Sequence, residues 1–183
     1  MDAAKRRLLE LIKERALVFR EVTLASGQAS TYYIDGKMVL LASEAAALIG
    51  EVLWTMTRDL HLDAIGGPEV GAIPMATAAV LHYHRTGQRL EGFFVRKETK
   101  AHGMQKRIEG LFRPGFRVAV VEDVMTTGSS SLQAIEAVQA AGGQVEAVIC
   151  LVDRLQGARA RFEGMGLRFW PVFTVRDLGV PAS

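Results

Sequence analysis

The sequence predicts an α/β domain built on a doubly wound, mostly parallel sheet. Three observations carry that expectation. Short β-branched runs alternate with stretches of helical period along most of the chain, the pattern of a parallel sheet covered by helices on both faces. The run Val118 to Val121 is apolar at every position, as a strand buried on both sides must be. A length of 183 residues is enough for one such domain with a proper core and too short for two.

Taken in order, Ala3 to Ala16 places Leu8, Leu9, Ile12 and Ala16 on one helical face. Val22 to Leu24 and Thr31 to Ile34 are β-type runs around a Ser26-Gly27 turn, which predicts a hairpin. Ser43 is placed to cap a helix reaching about Arg58, with Glu44 in the first turn, where the helix dipole favours an acid. Asp63 to Gly67 predicts a short strand ending in Gly-Gly-Pro, Ile73 to Arg85 a second core helix, and Glu91 to Arg96 a strand. Lys97 to Gly115 then has no periodicity, and so long a connection in a small domain points to function or disorder. After the central strand, a helix continues its inner face through Leu132, Ile135, Val138 and Gln139 and stops at Gly142-Gly143. Val145 to Val152 is another buried strand, closing on Asp153-Arg154; a short helix and a strand over Phe169 to Val175 complete the chain.

Composition narrows the function classes. A net charge of +2 and a pI near 8.8 are too mild to argue for nucleic acid, although positive charge gathers between Arg96 and Arg107. One cysteine, Cys150, excludes internal disulfides, fits a reducing cytoplasm and reads as inert core packing. There is neither a signal-peptide pattern nor an apolar run of membrane-spanning length, so a cytoplasmic protein is expected. His82 and His84 form an H-x-H on a helix, which sends the rings to different sides; solvent-facing polar residues are expected rather than a metal site.

The chemistry concentrates in R-VAVVEDVMTTGSSSL, Arg117 to Leu132. Glu122 and Asp123 follow the apolar run directly, at the C-terminal strand end that lines an α/β crevice. Thr126 to Ser131 opens a helix around Gly128, where amides and hydroxyls at the helix N-terminus suit an anion. Acids that can meet hydroxyls or magnesium, beside a phosphate cradle, suit a sugar phosphate. An ordinary strand-turn-helix with Thr and Ser as caps explains the hydroxyls but not the acid pair. Neither a G-x-x-x-x-G-K-[ST] loop nor a dinucleotide fingerprint is present.

This string resembles the phosphoribosyl-pyrophosphate (PRPP) signature of the type I phosphoribosyltransferases. Three further segments resemble the orotate phosphoribosyltransferases within them: VTLASGQASTYYID their hairpin hood, IGGPEVGAIPMATAAV their pyrophosphate loop and following helix, and VRKETKAHGMQKRIEG their R-K-x-x-K-x-H-G loop. In that loop Arg96, Lys97, Lys100, His102 and Gly103 are in register. The likeness runs from Val22 to Arg154. Two departures stand out: some members carry lysine where this chain has Ala25 and Gly71.

The resemblance implies a single domain over residues 1–183, with a hood from about 1–40 plus the C-terminal tail, a core over about 41–175 and a mobile catalytic loop over about 97–110. It implies that PRPP meets Glu122, Asp123, Val124, Met125 and Thr126, then Thr127, Gly128, Ser129 and Ser130 around its 5′-phosphate. Gly67, Pro68, Glu69, Val70 and Gly71 would approach the pyrophosphate, and a cis peptide would join Glu69 to Val70. Lys97, Lys100 and His102, with Arg96 at the base of their loop, would also bind PRPP by closing over its pyrophosphate, and Lys100, His102 and Asp123 would be catalytic. Orotate would meet Arg154, Thr126, Tyr32 and Tyr33, although neighbouring strand residues point oppositely and one tyrosine suits core packing equally well. Taken alone, Asp153-Arg154 also reads as a surface ion pair. Magnesium is the implied ion, and a homodimer with the loop reaching the neighbour's site the implied assembly, without nucleic acid or membrane. A purine or uracil transferase, or a PRPP-binding regulator without turnover, is the alternative; a nucleobase activity panel and a nucleic-acid binding test separate these.

Overall fold

The computed structural model describes residues 1–23, 29–97 and 107–180. Helix α1 (Ala3–Arg15) begins where the Asp2 carboxylate accepts from the Lys5 N–H at 2.7 Å. Strands β1 (Leu17–Thr23) and β2 (Ala29–Ile34) pair antiparallel with a register break between Phe19 and Val22. The predicted hairpin is present, but its first strand starts at Leu17, directly after the helix. The Ser26-Gly27 turn and Ala25 lie outside the described residues. A single turn, α2 (Lys37–Leu40), leads into α3 (Ser43–Thr57).

The remaining elements build one sheet. Strand β3 (Ala64–Pro68) precedes α4 (Ala72–Arg85), and β4 (Glu91–Val95) precedes β5 (Ile108–Gly110). Then come β6 (Arg117–Met125), α5 (Ser129–Ala140), β7 (Gln144–Asp153), α6 (Ala158–Gly164) and β8 (Arg168–Thr174). The strand order is β5-β4-β3-β6-β7-β8, parallel except for β5, which lies antiparallel on the β4 edge. The connections run outward in one direction after β3 and in the other after β6. These two strands therefore flank the topological switch point, where a crevice opens beyond their C-terminal ends.

Alternation along β6 explains the two-sided core. Val118 and Val120 pack with Ile135 and Val138 of α5 and Phe162 of α6, whereas Ala119 and Val121 belong to the cluster of α1, α3 and α4. Cys150 is fully buried and burial pushes its thiol well up, in keeping with inert packing.

Several local expectations change. In α1 the buried face is Leu8, Leu11 and Ile12, with Leu9 only partly covered. Ser43 is the first helical residue of α3; the extended cap position belongs to Ala42 because α2 ends just before it, and Glu44 accepts from the Arg7 guanidinium at 2.7 Å. In α5 the inner face runs through Ser131, Ala134, Ile135 and Val138, one step around the helix from exposed Gln139. The patternless segment after Lys97 contains β5, three residues being too few to show a period. His82 is half-buried, its ring 5.5 Å from that of Trp54, while His84 is exposed.

At Gly67 the strands come so close that a Cβ would collide with the Val121 carbonyl of β6. Gly67→Ala is therefore expected to lower stability by about 1–3 kcal/mol, the usual range for forcing atoms into a packed interior. A urea midpoint equal to that of the parent protein would refute this.

Candidate active site

The switch point gathers most of the residues singled out in the sequence. Strand β6 carries Glu122 and Asp123 into the crevice, and continues through Val124 to Met125 before the chain turns. Ser131, one turn into α5, donates to Glu122 Oε2 at 2.9 Å, and the Val124 N–H meets Asp123 Oδ1 at 2.8 Å. Both acids are held away from water, which favours their neutral forms. Burial, then the neighbouring charge of Asp123, pushes Glu122 up to about 8, against the pull of Ser131 and Lys97. Burial likewise raises Asp123, opposed by the Val124 N–H and the Lys37 ammonium.

The turn after β6 has the shape expected of an anion cradle. Gly128 has φ +75°, and a Cβ there would lie 2.7 Å from the Phe162 ring, so both conformation and space require glycine. Thr127 and Ser129 share a hydroxyl–hydroxyl bond of 3.0 Å beside the N-terminus of α5. Thr126 is partly buried and Ser130 exposed at the same end.

Across the crevice, β3 ends at Pro68 and the Glu69–Val70 peptide bond is cis, as expected. Gly71 then leads into α4. Glu69 ties this loop to the base of the basic segment: its Oε1 accepts from the Lys97 N–H at 2.9 Å, and its own N–H donates to the Val95 carbonyl at 3.0 Å. Arg96 donates through its N–H to the Arg107 carbonyl at 3.0 Å, so both ends of the basic segment start from one point. A cavity of about 320 Å³ is lined there by Pro68, Arg96, Lys97, Arg107 and Ser130 among others, a positive hollow with room for a phosphate group. Lys100, His102 and Gly103 lie outside the described residues.

The residues expected to meet the base separate. Arg154 follows β7, is 2% exposed, and stacks its guanidinium 4.4 Å from the centroid of Tyr32. It is a buried residue and not a surface one. Tyr33 faces the other side of the hairpin, 5.8 Å from Arg20, as strand alternation requires. The structure thus joins Tyr32 to Arg154 and leaves Tyr33 apart from that stack.

Sequence reasoning missed a third wall. Asp35, Gly36 and Lys37 leave the hairpin and pass beside Asp123: a Cβ on Gly36 would strike Asp123 Oδ2, and one on Gly71 would lie 2.5 Å from its Cγ. The Lys37 ammonium rests 2.7 Å from Asp35 Oδ1, which, with the charge of Asp123, holds its pKa above the usual lysine value. The motif ends at Asp35 for a reader of the hairpin, and only the fold shows what lies against the next residue. Arg107 was visible as charge but not as part of a hollow.

No family model matches the chain. The orotate phosphoribosyltransferase of Streptomyces avermitilis is 45% identical over 181 residues, covering 98% of this chain and 100% of that protein. The crystal structure of Mycobacterium tuberculosis orotate phosphoribosyltransferase in complex with Fe(III) dicitrate superposes with a TM-score of 0.86 at 43% identity, over 97% of this chain and 99% of that one. The same enzyme in complex with PRPP gives a TM-score of 0.82 at 40% identity, again over 97% and 99% of the two chains.

Because burial raises Glu122 from 4.5 in the unfolded chain to about 8 in the fold, the ligand-free protein should lose stability as pH rises between those values. Glu122→Gln, which cannot ionise, should gain on the parent over that window. Urea midpoints taken at pH 5 and pH 8.5 check this; a constant difference between the two proteins would refute it.

Proposed function

The chain belongs to the orotate phosphoribosyltransferases, and from that premise we propose how it transfers the 5-phosphoribosyl group of PRPP to N1 of orotate. The products are orotidine 5′-phosphate and pyrophosphate, a step of pyrimidine nucleotide synthesis. One observation carries the reading: the acid pair, the glycine-bearing turn before α5 and the loop after β3 converge at one switch point, with a buried arginine at the next strand end.

In this reading Asp123, with Glu122, holds the ribose hydroxyls, and Thr127 to Ser130 surround the 5′-phosphate with amides and hydroxyls. The backbone from Gly67 to Gly71 lies along the pyrophosphate. Arg154 meets the orotate carboxylate with a planar fork of donors, supported by Tyr32 and adjoined by Thr126. The N1–C1′ bond forms as the C1′–oxygen bond breaks, with inversion; positive charge grows on the ribose and negative charge on the leaving pyrophosphate. Arg96, Lys97, Lys100 and His102 neutralise that negative charge and exclude water when the basic segment closes, with Lys100 as the principal contact.

Glu122 and Asp123 offer hard oxygens that would suit magnesium, an ion held chiefly by PRPP oxygens and water with Asp123 near it; bound there, it would supply countercharge to the pyrophosphate.

The active form is a homodimer in which the basic segment serves the neighbour's site. Supporting this, Leu41 (77% exposed), Val70 (65%) and Leu81 (54%) line an apolar groove of about 590 Å³ beside the pyrophosphate loop. The hairpin and α1, with Val175, Leu178 and Val180 packed into the same cluster as Leu8, form the hood. A cytoplasmic setting agrees with the buried free thiol, and no helix among the described residues is long and apolar enough to cross a membrane.

Orotate absorbance should fall only with PRPP and magnesium both present, and adenine or uracil should not substitute. Arg154→Ala should raise the orotate KM roughly ten- to two-hundredfold, the value of about 1.5–3 kcal/mol for a charge-assisted bond, and leave the PRPP KM nearly unchanged. Turnover without PRPP, or an unaltered orotate KM, would overturn the assignment.

Lys100→Ala should lower kcat about a hundred- to a thousandfold. Mixed with Asp123→Ala chains, it should recover up to about a quarter of parental activity per subunit, since about half the dimers then carry one intact site. No recovery despite demonstrated subunit exchange would place Lys100 within its own subunit's site.

A further inference from the structure

Arg154 projects from a point where the chain reverses sharply. Its N–H donates to the Met125 carbonyl at 2.9 Å, and the carbonyl of Asp153 before it accepts from Val175 at 2.9 Å. The residue after it, Leu155, has φ +60°, a left-handed conformation that an L residue with a γ-branched side chain rarely adopts. Only His61 shares that feature among the described non-glycine residues. What holds Leu155 there is the Asp153 carboxylate, whose Oδ1 accepts from the Leu155 N–H at 2.8 Å across the arginine, the side-chain mimic of a backbone turn.

Asp153 is fully buried, and its Oδ2 has no hydrogen-bond partner among the described residues. Arg154 leaves the strand end within this turn, and its guanidinium stacks over Tyr32.

We propose that Asp153 is a positioning residue for orotate: its bond to the Leu155 N–H keeps the reversal closed and aims the Arg154 guanidinium at the substrate carboxylate. This rests on Arg154 being the orotate contact. Asp153 touches no substrate; it acts through Arg154 and Leu155.

Asp153→Ala removes the acceptor and should raise the orotate KM about tenfold, leaving the PRPP KM and the kcat at saturating orotate within about twofold. Asp153→Asn keeps an oxygen for the same bond and should stay within about twofold of the parent in all three. Adding Leu155→Gly to Asp153→Ala should recover at least about threefold in orotate KM, because glycine adopts the left-handed conformation without the penalty. Thermal melts identify which variants are folded. Should Asp153→Ala not fold, Asp153→Ser replaces it, and an effect between those of alanine and asparagine is expected.

Equal rises in both substrate KM values, or a loss of thermal stability without a selective orotate effect, would overturn the proposal and leave Asp153 a structural residue. Arg154→Ala run beside them separates the two levels. If it leaves the orotate KM unchanged, the assignment of Arg154 fails and this proposal fails with it. If it raises the orotate KM while Asp153→Ala does not, only the positioning role of Asp153 is lost.

Discussion

The close approach of β3 to β6 is the constraint on which the rest depends. Gly67 lies against the Val121 carbonyl, one residue past the last paired position of the two strands, Gly66 beside Val120. Beyond it they part, one into the cis-linked loop and the other into the acid pair and the turn before α5. Their separation sets how far the loop stands from the acids. A bulkier residue at that position would move the two walls of the crevice relative to each other, whatever else in the sheet stayed in place. Strand geometry and ligand geometry are therefore one problem in this fold.

Electrostatics follows from the same packing. Two consecutive, partly buried carboxylates on one strand are both held above the ordinary carboxylate range by their burial. The positive groups stand around them and not between them: Lys37 on the hood side, Lys97 at the base of the basic segment, Arg154 at the next strand end. A ligand with hydroxyls in its middle and anionic groups at its periphery matches that distribution, and PRPP is such a ligand.

Much of this was legible in the sequence because it is written in short local patterns. The alternation of strands and helices, the acid pair after an apolar run, Gly128 and the Gly-Gly-Pro strand end all depend on near neighbours, and all stand where expected. What escaped depends on contacts distant in the chain. Nothing in Ala29 to Ile34 shows which tyrosine will find Arg154, more than a hundred residues on. Lys37 to Leu40 is a single turn, and Ile108 to Gly110 a strand of three residues, too short for a period to emerge. Gln139 was placed inward by counting turns, but Ala134 and Ser131 are small enough to let α5 settle one step around on the sheet.

Asp123 sits with its carboxylate between Gly36 and Gly71, and neither position has space for a side chain while it remains there. A side chain at position 71 therefore requires the Asp123 carboxylate to shift. The atoms in the way are those of the Asp123 side chain itself, so its placement and the residues at positions 36 and 71 are coupled. Two glycines flanking one carboxylate thus make any substitution at either position conditional on where Asp123 can go.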